Sequence, residues 1–186
     1  MKRFGTIFLV AALVLGGPAL AATKGEKQQE VRQTAQATLD RLYKSQPKAK
    51  AAIERSAGYA VFSNFGMKIL VAGGGSGSGV AIDTKTKKEV FMKMVEVQAG
   101  LGFGVKKFRL VWVFEKASDL DKFINSGWEV GAQATASAQM SGQGMEAYAG
   151  AMSISPGIWL YQLTDDGLAV ELTAKGTKYY KDADLN

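Results

Sequence analysis

From Lys24 to Ser45, the positions Val31, Ala35, Thr38, Leu39, Leu42 and Tyr43 fall at three- and four-residue steps. That spacing lines them along one side of a helix whose other sides are charged or amide-bearing. Pro47 cannot continue a helix, but its fixed φ suits a first turn. A second short helix is therefore predicted from Pro47 to Ser56, stopping at Gly58. Beyond Gly58 the period changes from helical to alternating, and β-branched and aromatic residues become common. Strands are predicted at Tyr59–Phe62, Ile69–Ala72, Gly79–Ile82, Val90–Val97, Leu101–Val105 and Phe108–Phe114. The polar run Asp83–Lys88 separates two of them. A third helix is predicted after Phe114, with Ser118 as its cap and Asp119 and Asp121 in its first turn. Leu120, Phe123 and Ile124 form its buried stripe.

Residues 128–141 alternate most regularly, with Val130, Ala132, Ala134, Ala136, Ala138 and Met140 on one side and mostly polar residues on the other. A strand with one polar face is expected there, and its run of alanines implies a closely approaching neighbour. Asp165-Asp166-Gly167 is a hairpin signal between strands at about Ile158–Leu163 and Ala169–Thr173, and Gly176–Lys181 adds a last extended piece. The pattern as a whole predicts an α+β fold. It is a predominantly antiparallel β sheet or partly closed barrel with an N-terminal helical pair and one further short helix. Residues 22–57 are its helical segment and residues 58–186 its β-rich body.

Gly73, Gly75, Gly77 and Gly79 repeat every second residue, as do Gly100, Gly102 and Gly104. In a strand this period removes every side chain from one face, so that a ring or helix can lie on bare backbone or the sheet can curl sharply. Leu101, Phe103 and Val105, with Phe108, Leu110, Trp112 and Phe114, are the expected centre of the core. A phosphate-cradling role is disfavoured by spacing: the chain has no Gly-Lys-Ser, no Gly-Lys-Thr, and no G-x-G-x-x-G in either glycine run.

The first residues change the picture of where the chain works. Lys2 and Arg3, the apolar run Phe8–Leu15, the breakers Gly16, Gly17 and Pro18, and then Ala19-Leu20-Ala21 have the layout of a cleaved secretory signal over residues 1–21. The expected location is the periplasm. The apolar run is shorter than the roughly 20 residues that span a bilayer. Removing Lys2 and Arg3 leaves 21 basic and 17 acidic side chains, unevenly spread. Residues 24–109 carry 16 basic and 7 acidic side chains, whereas residues 110–186 carry 5 and 10. Such asymmetry in an exported protein points to an anionic surface as partner, phospholipid or acidic polysaccharide before nucleic acid.

Histidine and cysteine are both missing from the chain. That removes the commonest general base, the usual zinc ligands, the Ser-His and Cys-His nucleophile pairs and any disulfide. No cofactor is expected. Ser45-Gln46-Pro47-Lys48 matches S-x-x-K only formally, since Pro47 lies inside it and K-T-G is absent. An enzyme would have to work with carboxylates such as Asp83, Glu96, Glu115 or Glu129, and is the least favoured reading.

Four segments in order then carry a resemblance: Gly73–Val80, Gln98–Val105, Phe123–Ala132 and Gly167 through Gly176-Thr177-Lys178-Tyr179-Tyr180. Over about Ser56–Asn186 the chain resembles the SYLF domain family. The resemblance implies lipid binding without a catalytic step, with the N-terminal helices contributing to the membrane contact. In eukaryotic members the lipids are phosphoinositides, and fungal members also meet actin-patch components. Actin is not an expected partner for an exported chain, and phosphatidylglycerol, cardiolipin or lipopolysaccharide phosphates are better candidates than phosphoinositides.

The expected function is therefore non-enzymatic, peripheral binding of anionic phospholipid or other phosphate-bearing lipid head groups. The candidate contacts are Arg41, Lys44 and Lys48 of the helical pair, Lys85, Lys87 and Lys88 in one turn, and Lys106, Lys107 and Arg109 beside the aromatic run. The alternative is a scaffold module of the envelope that recruits a protein partner through a polar face or a sheet edge.

Overall fold

The computed structural model describes residues 22–69, 72–99, 104–127, 129–130, 146–164, 167–169 and 176–186. The expected signal segment lies outside these residues, as does most of the predicted strand at 128–141.

Helix α1 spans Lys24–Ser45 and is opened by a capping box. Thr23 Oγ1 accepts from the Glu26 amide at 3.3 Å, and Glu26 Oε2 accepts from the Thr23 amide at 2.7 Å. Val31, Ala35, Thr38, Leu39 and Leu42 are buried, the stripe that the spacing predicts, and Tyr43 is half-buried. Leu42 is fully inaccessible, which is worth roughly 1.5–3 kcal/mol of transfer free energy. Pro47 caps helix α2, Lys48–Arg55, whose buried side is Ala49, Ala52 and Ile53.

Among the described residues, nine strands follow in one antiparallel sheet: β1 Gly58–Ile69, β2 Ala72–Asp83, β3 Glu89–Ala99, β4 Gly104–Phe114, β5 Glu129–Val130, β6 Met152–Ser155, β7 Ile158–Thr164, β8 Gly167–Ala169 and β9 Thr177–Lys181. Their order is β5-β9-β3-β2-β1-β4-β7-β6, with β8 also on β7, and the sheet curls into a half-barrel. The strands are longer than the apolar runs suggest. The predicted strand Ile69–Ala72 does not exist as one piece, because Ile69 and Ala72 are partners across β1 and β2. The segment Gly79–Ile82 is only the end of the twelve-residue β2, which takes in the glycine run. Glycine's low β propensity hides that strand from a sequence reading.

Alternation gives the sheet two buried faces. On the inner face, Phe62, Met92, Met94, Phe108, Leu110, Trp112, Phe114 and Tyr179 gather beneath helix α3, Ala117–Asn125. Phe123 of α3 meets Phe114 at 5.0 Å and Tyr179 at 5.2 Å between ring centres. The expected stripe holds: Leu120 and Phe123 are buried and Ile124 partly so. The expected cap does not. Lys116 is the N-cap, with no side-chain cap bond, and Ser118 lies inside the first turn. Of the expected core centre, Leu101 and Phe103 lie outside the described residues, and of Val105 only the backbone is described.

On the outer face α1 and α2 cover Val61, Val80, Phe91, Val111, Val113, Tyr161 and Leu163. Tyr148, in a 3-10 turn at Glu146–Tyr148, stacks on Trp159 with ring centres 4.5 Å apart. Trp159 Nε1 in turn donates to Glu115 Oε1 at 2.9 Å.

Gly77 and Gly79 of β2 have the structural role that the period suggests. A Cβ on Gly79 would run into the Val61 carbonyl oxygen and the Phe62 ring, and one on Gly77 would lie 2.5 Å from the Ser63 carbonyl oxygen and 2.9 Å from Met94 Cγ. The bare strand also lets Glu96 on β3 reach Asn64 on β1, whose Nδ2 donates to Glu96 Oε2 at 2.7 Å, across the strand between them.

Candidate functional site

The register arranges the outer face in transverse rows. Beneath α1 the row Phe91, Val80, Val61, Val111 and Tyr161 is apolar and buried. One step of two residues along the strands it becomes Tyr180, Lys93, Ser78, Ser63, Arg109 and Leu163. Two residues further it reads Lys178, Val95, Ser76, Phe65 and Lys107. Residues two apart on a strand share a face, so the helices cover the first row and the Leu163 end of the second and leave the rest of the polar rows open. Ser76, Ser78, Lys107 and Lys178 are exposed, and Val95 is the one exposed large apolar side chain among the described residues.

The nine candidate cations divide between separate places. Lys85, Lys87 and Lys88 lie exposed in the β2–β3 turn, which Asp83 holds by accepting from the Thr86 amide at 2.6 Å. That hydrogen bond lowers the Asp83 pKa. Asp83 faces Gly58 and Lys107 faces Phe65, seven residues along β1, which puts the turn about 24 Å from Lys107. Lys48 borders a shallow hollow with Ala51, Arg55 and Ala147. Lys106 lies in β4, its side chain outside those described.

The remaining candidates do come together. Arg41 Nη2 donates to the Thr164 carbonyl oxygen at 2.9 Å, tying the end of α1 to the end of β7. Leu163, the residue before Thr164, is the register partner of Arg109. Lys107 follows on the same face of β4, and Lys44 sits exposed one turn beyond Arg41. Arg41 and Arg109 thus flank the end of β7 where α1 leaves the sheet, with Lys44 one turn further along α1 and Lys107 two residues away on β4, a cationic corner in outline.

Folding cancels part of the charge asymmetry seen along the chain. Lys93 Nζ lies 3.0 Å from Asp182 Oδ1 and 2.9 Å from Asp184 Oδ2, joining the basic segment to the acidic one, whereas Arg32 Nε, 2.8 Å from Glu89 Oε2, pairs within the basic segment. The Lys93 ammonium holds the Asp184 carboxyl below its ordinary pKa. Serines 63, 76 and 78 went unremarked in the sequence, although the run Gly75-Ser76-Gly77-Ser78-Gly79 already alternates bare backbone with hydroxyls. Among the candidate carboxylates, Asp83, Glu96 and Glu115 each accept a structural hydrogen bond. The side chain of Glu129 lies outside those described.

Residues 95–186 match the family described as Ysc84, Las17-binding protein actin regulator. The chain belongs to the SYLF family. It is also similar to Beta cell expansion factor A of Aeromonas veronii, with 32% identity over 167 residues, 88% of this chain and 60% of that protein. The chain therefore spans well under the full length of that relative. SYLF proteins bind lipids as a family, and the family is not a known enzyme family. The match begins at Val95, so the Lys107–Arg109 segment of the corner falls inside it and Arg41 and Lys44 fall before it.

Proposed function

We propose that this SYLF protein is a non-enzymatic, peripheral binder of anionic phospholipid head groups, exported to the periplasm and working at the surface of an envelope membrane. The observation that carries the reading is the cationic corner of Arg41, Lys44, Lys107 and Arg109 beside an open sheet face. Cations near an anionic bilayer contribute about 1 kcal/mol each, so three or four give roughly a hundredfold preference or more for acidic over neutral surfaces. No helix among the described residues is long and apolar enough to cross a membrane. The contact is accordingly electrostatic, and salt weakens it.

The corner and the β2–β3 turn make different predictions. In vesicle sedimentation on phosphatidylglycerol-containing liposomes, the pair K107E and R109E removes most of the binding, whereas K85E, K87E and K88E together weaken it less. The reverse ranking would move the contact to the turn, and no effect from either set would remove the cationic surface from the account.

A further inference from the structure

Next to the cationic corner, but chemically unlike it, a groove runs from between α1 and the segment that follows β9 out over β1, β2, β3 and β9. Its two hollows, of 390 and 410 Å³, both have Ser63 and Ser78 in their walls. Each lies within the roughly 300–1,000 Å³ of small-molecule sites. The groove carries no excess of positive charge. Lys27 and Lys93 stand against Glu30 and Asp182, and Lys93 is held between Asp182 and Asp184. A phosphate gains no net field there, and a purely apolar ligand would leave the charged groups and hydroxyls unpaired.

We propose that this groove binds a neutral saccharide unit. Ser63, Ser76 and Ser78 present hydroxyls that both donate and accept, the two lysines donate, and Glu30 and Asp182 accept. A sugar ring offers the same mixture, since each of its hydroxyls does both. Tyr180, half-buried at the wall, adds a ring surface for the apolar C–H face of a sugar. Ser63 is the register partner of Arg109, so the groove borders the proposed lipid surface, and variants on the two sides tell the sites apart.

The test is amide chemical-shift mapping on the full mature chain with maltose and N,N′-diacetylchitobiose as free disaccharides and dextran as a polymer. At least one probe produces saturable shifts centred on Ser63, Ser78, Lys93 and Tyr180. Binding of the disaccharides shows a free-sugar site, and binding of dextran alone shows a polymer site. The pair S63V and S78V lowers the affinity about tenfold, as loss of one or two hydrogen bonds would, and leaves vesicle binding in place. K107E with R109E does the opposite. Should the serine variant fail to fold, the wild-type shift map still decides. Absence of saturable shifts with every probe, or shifts centred elsewhere, overturns the proposal.

Discussion

The side-chain amide of Asn186 pairs with the backbone of Phe91 as a neighbouring strand would: Nδ2 donates to the Phe91 carbonyl oxygen at 2.7 Å, and Oδ1 accepts from the Phe91 amide at 2.9 Å. The pairing extends the β3–β9 ladder, which ends at Met92 and Lys181, by one more rung. Asn186 Nδ2 also donates to the Asp182 carbonyl oxygen at 2.6 Å, and the Asn186 backbone oxygen accepts from Lys24 Nζ at 2.6 Å. One residue thus joins the start of α1, the turn after β9 and the middle of the sheet.

Asn186→Ala leaves the Phe91 amide without this partner, while the Phe91 carbonyl keeps the Asp182 amide at 2.9 Å; the loss costs about 1–3 kcal/mol, read as a lower midpoint of urea unfolding. Asn186→Asp keeps the acceptor but sets a carboxylate oxygen against the Phe91 carbonyl oxygen, so it does not rescue. An unchanged midpoint in both variants would show that the bonds add nothing to stability.

The glycines of β2 differ in what they tolerate. Gly79→Ala meets the Val61 carbonyl oxygen and the Phe62 ring, and overpacking of this kind costs about 1–3 kcal/mol. At Gly74 the nearest atom to an added Cβ is the Glu96 carbonyl oxygen at 3.4 Å, an ordinary contact. Gly74→Ala is therefore close to neutral. Thermal unfolding of the two variants checks the difference, and equal loss in both would remove the close-approach explanation for the alternating glycines.

Burial pushes Tyr43, Tyr148 and Tyr161 up to about 12 and raises Tyr59 and Tyr179 as well. In the unfolded chain these phenols ionise near about 10. Their protonated forms are favoured by folding, so this contribution to stability is complete below that pH and is lost as the pH rises through about 12. Tyrosinate absorbance should grow together with loss of far-UV dichroism in that window. Ionisation near the ordinary value with the fold intact would contradict the buried positions.

Lys87 is the one non-glycine residue with positive φ among those described, at 59°. Replacing it by glycine relieves a left-handed conformation that costs an L-residue about 1 kcal/mol. Lys87→Gly consequently raises the unfolding midpoint although it removes a charged side chain, and a lowered midpoint would mean that the lysine itself holds the turn.

The helices were legible because their signals are local. The buried stripe of α1 follows from spacing alone, and its capping box is visible as Thr23 three residues before Glu26. β1 and β2 read as fragments because Ser63, Asn64 and the glycines interrupt the apolar pattern by which a strand is recognised. Their continuity comes from pairing on both sides, which spacing does not encode. The site was half legible. Arg41, Lys107 and Arg109 were identifiable as cations, but their meeting depends on the register of β4 with β7. The pairing of Lys93 with Asp182 and Asp184, some 90 residues later in the chain, explains why a count of charges along the sequence overstates the positive field.

The central claim is tested most directly by sedimenting the mature wild-type chain with vesicles of neutral phosphatidylcholine alone and with added phosphatidylglycerol, in dilute buffer and in high salt. The account predicts cosedimentation with the acidic vesicles in dilute buffer, release at high salt, and little association with the neutral ones. Folded protein that stays in the supernatant with acidic vesicles at low ionic strength, or that binds both compositions equally, would contradict it.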